Sequence, residues 1–223
     1  MSIIAAQIEH LTRKLPPQTR LVAVSKFHTV AAIMEAYNAG QRIFGENKVQ
    51  ELVEKQSILP ADIAWHFIGH LQTNKVKYIA TFVDLIHSID TWKLLEEVNR
   101  QAAKTGRTIR VLLQIHIARE TSKSGLSFDE CRQLLDGNEW KTRSHIQICG
   151  LMGMATFTDD EDLICREFQS LSAFFREIKQ KHFSREPSFC ELSMGMSDDY
   201  SLALEYGSTL VRIGSLIFGT RKR

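Results

Sequence analysis

The chain has 223 residues, 43% hydrophobic and 24% charged, with a formal net charge of +2. That is the balance of a soluble globular protein long enough for one large domain with a real core. It gives no push toward nucleic acid or an acidic partner, and no apolar run approaches the length of a membrane span. The N-terminus lacks a basic stretch followed by an apolar one, so no signal peptide is expected. Cys131, Cys149, Cys165 and Cys190 form no CxxC pair and read as reduced thiols of a cytoplasmic protein.

Short β-rich runs alternate with amphipathic stretches along the chain. A leading helix is predicted over 3–15, placed to cover the bottom of the fold. The first strand, 21–25, precedes a helix over 29–38 that stops before Gly40. The second strand is 42–45, with a helix over 47–56, and the third is 65–69, leading into a helix from Thr73. The fourth, 83–88, is followed by a helix capped by Asp90 and stopped by Gly106. The fifth, 109–117, is the most β-rich run; a polar loop over 120–125 leads to a helix over 127–135 with Glu130 in the capping-box position. The sixth strand, 146–152, precedes a long helix over 160–181. The seventh is 189–193 with a helix over 198–206, and the eighth is 210–213 with a short helical segment over 216–218. Eight such units predict an α/β fold, a closed (β/α)8 barrel formed by one domain over 1–223; a doubly wound open sheet is the alternative.

In such a barrel, functional groups come from the C-terminal ends of strands. The first strand ends in Leu21-Val22-Ala23-Val24-Ser25-Lys26, and alternation puts Lys26 on the face of Val22 and Val24. A lysine there either snorkels to water or loses its proton by desolvation and serves as a Schiff-base amine. His66 and His70 are four residues apart, but Ile68-Gly69 between them marks a strand end, and no carboxylate or cysteine stands at ligand spacing, so no metal site is expected.

The loops after the seventh and eighth strands are a common phosphate position in these barrels. Gly214 lets a backbone approach closely, the N–H groups of Ser215 and Leu216 open a short helix, and Ser193 and Ser197 add hydroxyl donors. Arg212 alternates with Val211 and Ile213, so it points with Leu210 into the barrel and needs an acceptor there. Glu191 and a cofactor's ring nitrogen are both candidates. Lysine, phosphate cradle and arginine form a coherent set for pyridoxal 5'-phosphate (PLP).

Several long motifs occur in order: the Lys26 run, Phe44-Gly45-Glu46-Asn47, Trp65-His66-Phe67-Ile68-Gly69-His70-Leu71-Gln72, Ser122-Lys123-Ser124-Gly125, Gly150-Leu151-Met152, Leu192-Ser193-Met194-Gly195-Met196-Ser197-Asp198-Asp199 and Arg212-Ile213-Gly214. Through them nearly the whole chain resembles the YggS/PROSC family of PLP homeostasis proteins. The resemblance implies a fold-type III barrel like the N-terminal domain of alanine racemase. It implies that Lys26 carries PLP and that Arg212 faces the pyridine nitrogen. Ser193, Gly214 and Ser215 match phosphate-binding positions, with Ser197 and Met194 nearby. Asn47 falls where the family lines the cofactor's other edge. Lys123 matches a second family lysine near the route of PLP exchange. Phe27-His28-Thr29 departs from the family's Thr-Lys-Pro-like stretch, which puts the role of that downstream lysine in doubt here.

Alanine racemase adds a second domain that supplies a tyrosine base, and here Tyr37, Tyr78, Tyr200 and Tyr206 all fall on predicted helices. The expected function is therefore a cytoplasmic, monomeric PLP-binding protein of vitamin B6 homeostasis, holding PLP reversibly without catalysis and delivering it to PLP-requiring apoenzymes. A low-activity amino-acid racemase and a Schiff-base aldolase are the competing readings.

Overall fold

The computed structural model describes residues 2–120 and 124–219, so Lys123 lies outside the described residues. The strands are β1 (Arg20–Val24), β2 (Ile43–Glu46), β3 (Ala64–Phe67), β4 (Leu85–Ile89), β5 (Ile109–Ile115), β6 (Ile146–Gly153), β7 (Glu191–Ser193) and β8 (Leu210–Ile213). They close into a barrel in chain order, each strand parallel to the next, with β1 paired to β8. The helices are α1 (Ile3–Lys14), α2 (Val30–Asn38), α3 (Val49–Ile58), α4 (Val76–Ile79), α5 (Trp92–Lys104), α6 (Phe128–Asp136), α7 (Glu161–His182), α8 (Tyr200–Glu205) and α9 (Ser215–Phe218). The eight predicted βα units are all present, and the open-sheet alternative is excluded by the β1–β8 pairing.

Strand alternation sorts the core into two layers. Val22, Leu85, Leu112, Cys149, Met152 and Leu210 fill the barrel. Ala23, Phe44, Trp65, Phe67, Ile86, Val111, Leu151, Val211 and Ile213 face the helices. Each large apolar side chain buried this way contributes about 1.5–3 kcal/mol.

Side-chain caps start several helices. Thr29 opens α2, and Ser127 with Glu130 forms the predicted capping box of α6. The cap of α5 differs from expectation. Thr91, not Asp90, accepts from the Leu94 N–H, because the Asp90 carboxylate is turned to His70 Nδ1 at 3.4 Å. The predicted helix from Thr73 is a 3-10 turn over Thr73–Lys75 followed by the short α4.

The leading helix was expected beneath the barrel; instead α1 packs against α2 and α9 in the outer layer. The reason is the shortness of α9, whose four residues cannot screen β8 and β1. Ile8 and Leu11 of α1 supply the missing apolar cover. Among the described residues no helix is long and apolar enough to cross a membrane.

Candidate functional site

Lys26 follows β1 by two residues and stands half-buried at the C-terminal mouth of the barrel. It lines a cavity of about 310 Å³ together with Val24, His28, Asn47, Met196, Ser197, Arg212, Gly214 and Ser215. The backbone on both sides of it is clamped. Lys55 is placed by the buried face of α3, which also carries Val49 and Leu52. Its Nζ donates to the Ser25 carbonyl, Glu46 Oε1 and Glu51 Oε1, each at 2.7 Å. The Ser25 hydroxyl donates to Glu46 Oε1 at 2.6 Å, and the Phe27 N–H to Glu51 Oε1 at 2.5 Å. Phe27 takes φ +67°, a left-handed conformation rare for a bulky residue, and this clamp holds it there. Burial raises the pKa of the Glu46 carboxyl, against the lowering effect of its bonds from Lys55 and Ser25. Next along the chain, the His28 ring stacks on Phe218 of α9, centroids 4.6 Å apart, which joins the loop after β1 to the loop after β8.

Asn47 follows β2. Gly69 packs directly against its backbone: a Cβ at position 69 would lie 2.3 Å from the Asn47 carbonyl oxygen. Asn47 Oδ1 is buried without a hydrogen-bond partner. Across the cavity, the Gly214 N–H donates to Ser197 Oγ at 3.4 Å, and Gly214 is the N-cap of α9. The Ile217 N–H turns back to the Gly214 carbonyl at 3.0 Å, and the Ser215 and Leu216 N–H groups precede any intrahelical acceptor.

Arg212 is buried and reaches the cavity floor. Its Nη1 donates to Ser193 Oγ at 2.5 Å and its Nη2 to the Gly153 carbonyl at 3.0 Å. Burial lowers its pKa to about 10. Glu191, one of the acceptors considered from sequence, is engaged elsewhere: it pairs with Arg20, and with Arg110 at 3.0 Å. Among the described residues no carboxylate forms an ion pair with Arg212.

Ser193 and Met194 do not line the cavity. Ser193 is fully buried in the barrel, its hydroxyl also 3.0 Å from His87 Nδ1. Met194 packs in the outer core on the face of Leu192. Gly195, at φ +91°, then breaks the strand alternation, so that Met196 rather than Met194 enters the site. Sequence reasoning passed over Met154, Phe157, Met196 and Asp198 as lining residues. It also missed His87, although alternation with Leu85 marks it as facing inward. His87 Nε2 lies 2.9 Å from His66 Nδ1, and His66 Nε2 lies 3.3 Å from Asp84 Oδ2. Burial lowers the pKa of both rings, that of His87 well below the usual value. Asp84 is lowered in turn by its contact with His66.

The chain matches the family described as the alanine racemase N-terminal domain over residues 1–222. The chain belongs to this family. A pyridoxal phosphate homeostasis protein of Vibrio alginolyticus is 38% identical, with 99% of each chain covered. The protein of that name from Bos taurus is 42% identical over 94% of this chain and 80% of its own. Two structures of PipY from Synechococcus elongatus superimpose on it: one without PLP (TM-score 0.90, 39% identity) and one with PLP bound (TM-score 0.86, 38% identity). Each covers 97% of this chain and 100% of PipY. Alanine racemase from Streptomyces lavendulae, 18% identical, shares the fold (TM-score 0.77), and this alanine racemase-like barrel covers 58% of that chain.

Proposed function

We propose that this protein binds PLP in the cavity at the barrel mouth and serves PLP homeostasis, holding the cofactor through a reversible Schiff base on Lys26 rather than using it for catalysis. The observation that carries the reading is the meeting of Lys26 and Arg212 in one cavity with Asn47, Ser197, Gly214 and Ser215. The residues fit the group: the unpartnered Asn47 Oδ1 and the buried Arg212 cation, which forms no ion pair with a carboxylate among the described residues, both call for a polar ligand. The PLP-bound PipY relative supports the same choice.

PLP brings an aldehyde that condenses reversibly with an amine, a ring nitrogen and a phosphate. The Lys26 amine is the tether. Arg212 can only donate hydrogen bonds, so it favours an unprotonated ring nitrogen. The Ser215 and Leu216 N–H groups and the Ser197 hydroxyl would hold the phosphate, and Asn47 would line the opposite edge. Ser193 acts beneath Arg212 rather than on the phosphate.

Racemisation needs acid/base groups on both faces of the substrate. The described residues that line the cavity include no tyrosine, which supports a binding role over a racemase. On this reading the protein acts as a cytoplasmic monomer that passes PLP to apoenzymes, with Lys123 on the exchange route.

Borohydride reduction of the purified protein should fix PLP on Lys26, and Lys26→Ala should lose the reducible adduct. An adduct of wild-type yield in Lys26→Ala would remove Lys26 from the site. Rapid exchange of the α-deuteron of labelled alanine or serine, with loss of configuration, would establish the racemase instead.

A further inference from the structure

We propose that a one-way column of hydrogen bonds through the barrel interior, running from Arg212 through Ser193 and His87 to His66 and polarised by the Asp84 carboxylate beside it, fixes the Arg212 guanidinium toward the ring of the bound cofactor. His87 and His66 are then positioning residues for a site they do not touch. The proposal rests on the PLP reading above.

The direction of the column is set at its Asp84 end and is compatible with its Arg212 end. Arg212 has donors and no acceptor, so Ser193 Oγ accepts from Nη1 at 2.5 Å. The serine hydroxyl has one proton and a second lone pair, so it can donate to His87 Nδ1 at 3.0 Å, and the far end of the column selects that direction. A neutral His87 must carry its proton on Nε2, from which it donates to His66 Nδ1 at 2.9 Å. The Asp84 carboxylate, whose Oδ2 lies 3.3 Å from His66 Nε2 in a charge contact rather than a hydrogen bond, favours the neutral His66 tautomer with its proton on Nε2 and so sets this direction. Asp84, its carboxyl held below the usual range by His66, accepts only. The carboxylate beside His66 Nε2 sets the polarity, the donor-only Arg212 is compatible with it, and no link sets two donors or two acceptors face to face.

The column spans the barrel. Arg212 lines the upper cavity, while the Asp84 side chain is 38% exposed at the opposite mouth. There Asp84 also meets Arg110 at 3.3 Å, and Arg110 meets Glu191. Around the column the barrel is filled by Val22, Leu85, Leu112, Met152 and Leu210. Packing alone would be served by more such residues; two buried histidines in register with a buried serine and arginine serve orientation. With Nη1 tied to Ser193 and Nη2 to Gly153, the guanidinium plane has two anchors, and its remaining N–H groups are left for the cavity.

The test has two arms. Side-chain ¹⁵N spectra of the ligand-free protein should show both His66 and His87 as neutral Nε2–H tautomers at neutral pH. A proton on His87 Nδ1, or a doubly protonated ring, overturns the column. In the PLP-loaded protein, His87→Leu should shift the ¹⁵N signal of ring-labelled PLP and speed PLP release about tenfold, the scale of one hydrogen bond to a charged group. His87→Gln, whose amide offers both an acceptor and a donor, should restore both readouts to within about twofold. A folded His87→Leu with wild-type ring signal and release rate overturns the proposal. Should His87→Leu not fold, Ser193→Ala replaces it with the same expectations and the same overturning result. If the wild type takes up no PLP, the PLP reading has failed while the tautomer arm still decides the column.

Discussion

A methyl group at position 69 would sit 2.3 Å from the Asn47 carbonyl oxygen and 2.7 Å from its Cα, distances no packed structure tolerates. Gly69→Ala should therefore displace Asn47 and cost about 1–3 kcal/mol of stability, read by urea unfolding. It should also weaken PLP binding; unchanged affinity would take Asn47 out of the site. Lys55 is the second sensitive position. Lys55→Met leaves the buried Glu46 carboxyl without its cation, a change that costs roughly 3–5 kcal/mol when one partner of a buried pair is removed. Adding Glu46→Gln should recover part of that loss, and a double variant no better than the single would argue against the pair. The cavity-lining places legible from sequence were those at or near a strand end: Lys26, Asn47, Arg212 and Gly214. Ser193 and Met194 were misplaced because alternation alone fixes neither depth nor parity past a turn. Ser193 is one layer too deep, and Gly195 resets the parity beyond Met194. The clamp was not legible at all, since Lys55 looks like any helical lysine until α3 is packed against the barrel.

At the scale of the element, α5 separates two adjacent residues that sequence reads alike. Thr91 caps the helix, while Asp90 is directed to His70. Thr91→Ala should cost about 1 kcal/mol, the usual value of a lost N-cap. Asp90→Ala should cost less, because its exposed-side partner His70 is a solvent-screened one. Equal losses in denaturant titrations would return the cap to Asp90. Element order and type were readable because each β-rich run is punctuated by Gly, Ser or Thr stops. The place of α1 was not, because it depends on how much of β8 and β1 the short α9 leaves uncovered.

For the whole molecule, the buried histidines set a pH response. Folding holds the His66 and His87 rings neutral and lowers their pKa, chiefly through burial. Below the ordinary histidine pKa of ~6.5 the unfolded chain therefore binds more protons than the folded one, and stability falls as pH drops, by at most about 1.4 kcal/mol per pH unit for each ring. Burial raises the Glu46 and Asp199 carboxyls, which act in the opposite sense nearer the ordinary carboxylate range. Thermal unfolding between pH ~7.5 and ~5.5 should show the decline, and His87→Gln should flatten it; identical slopes would mean the ring stays neutral in neither state or in both. Barrel closure was legible from eight units in series, but the registers that stack His66, His87 and Ser193 across three strands belong to the closed sheet alone. The pairing of β1 with β8 carries a further consequence for synthesis. Lys26 is translated early, while Arg212, Gly214 and Phe218, the stacking partner of His28, come at the far end of the barrel sequence. A nascent chain thus exposes the amine long before the ribosome has made its surroundings, and on the proposed reading capture of an aldehyde in the built pocket waits until translation of the barrel strands is complete.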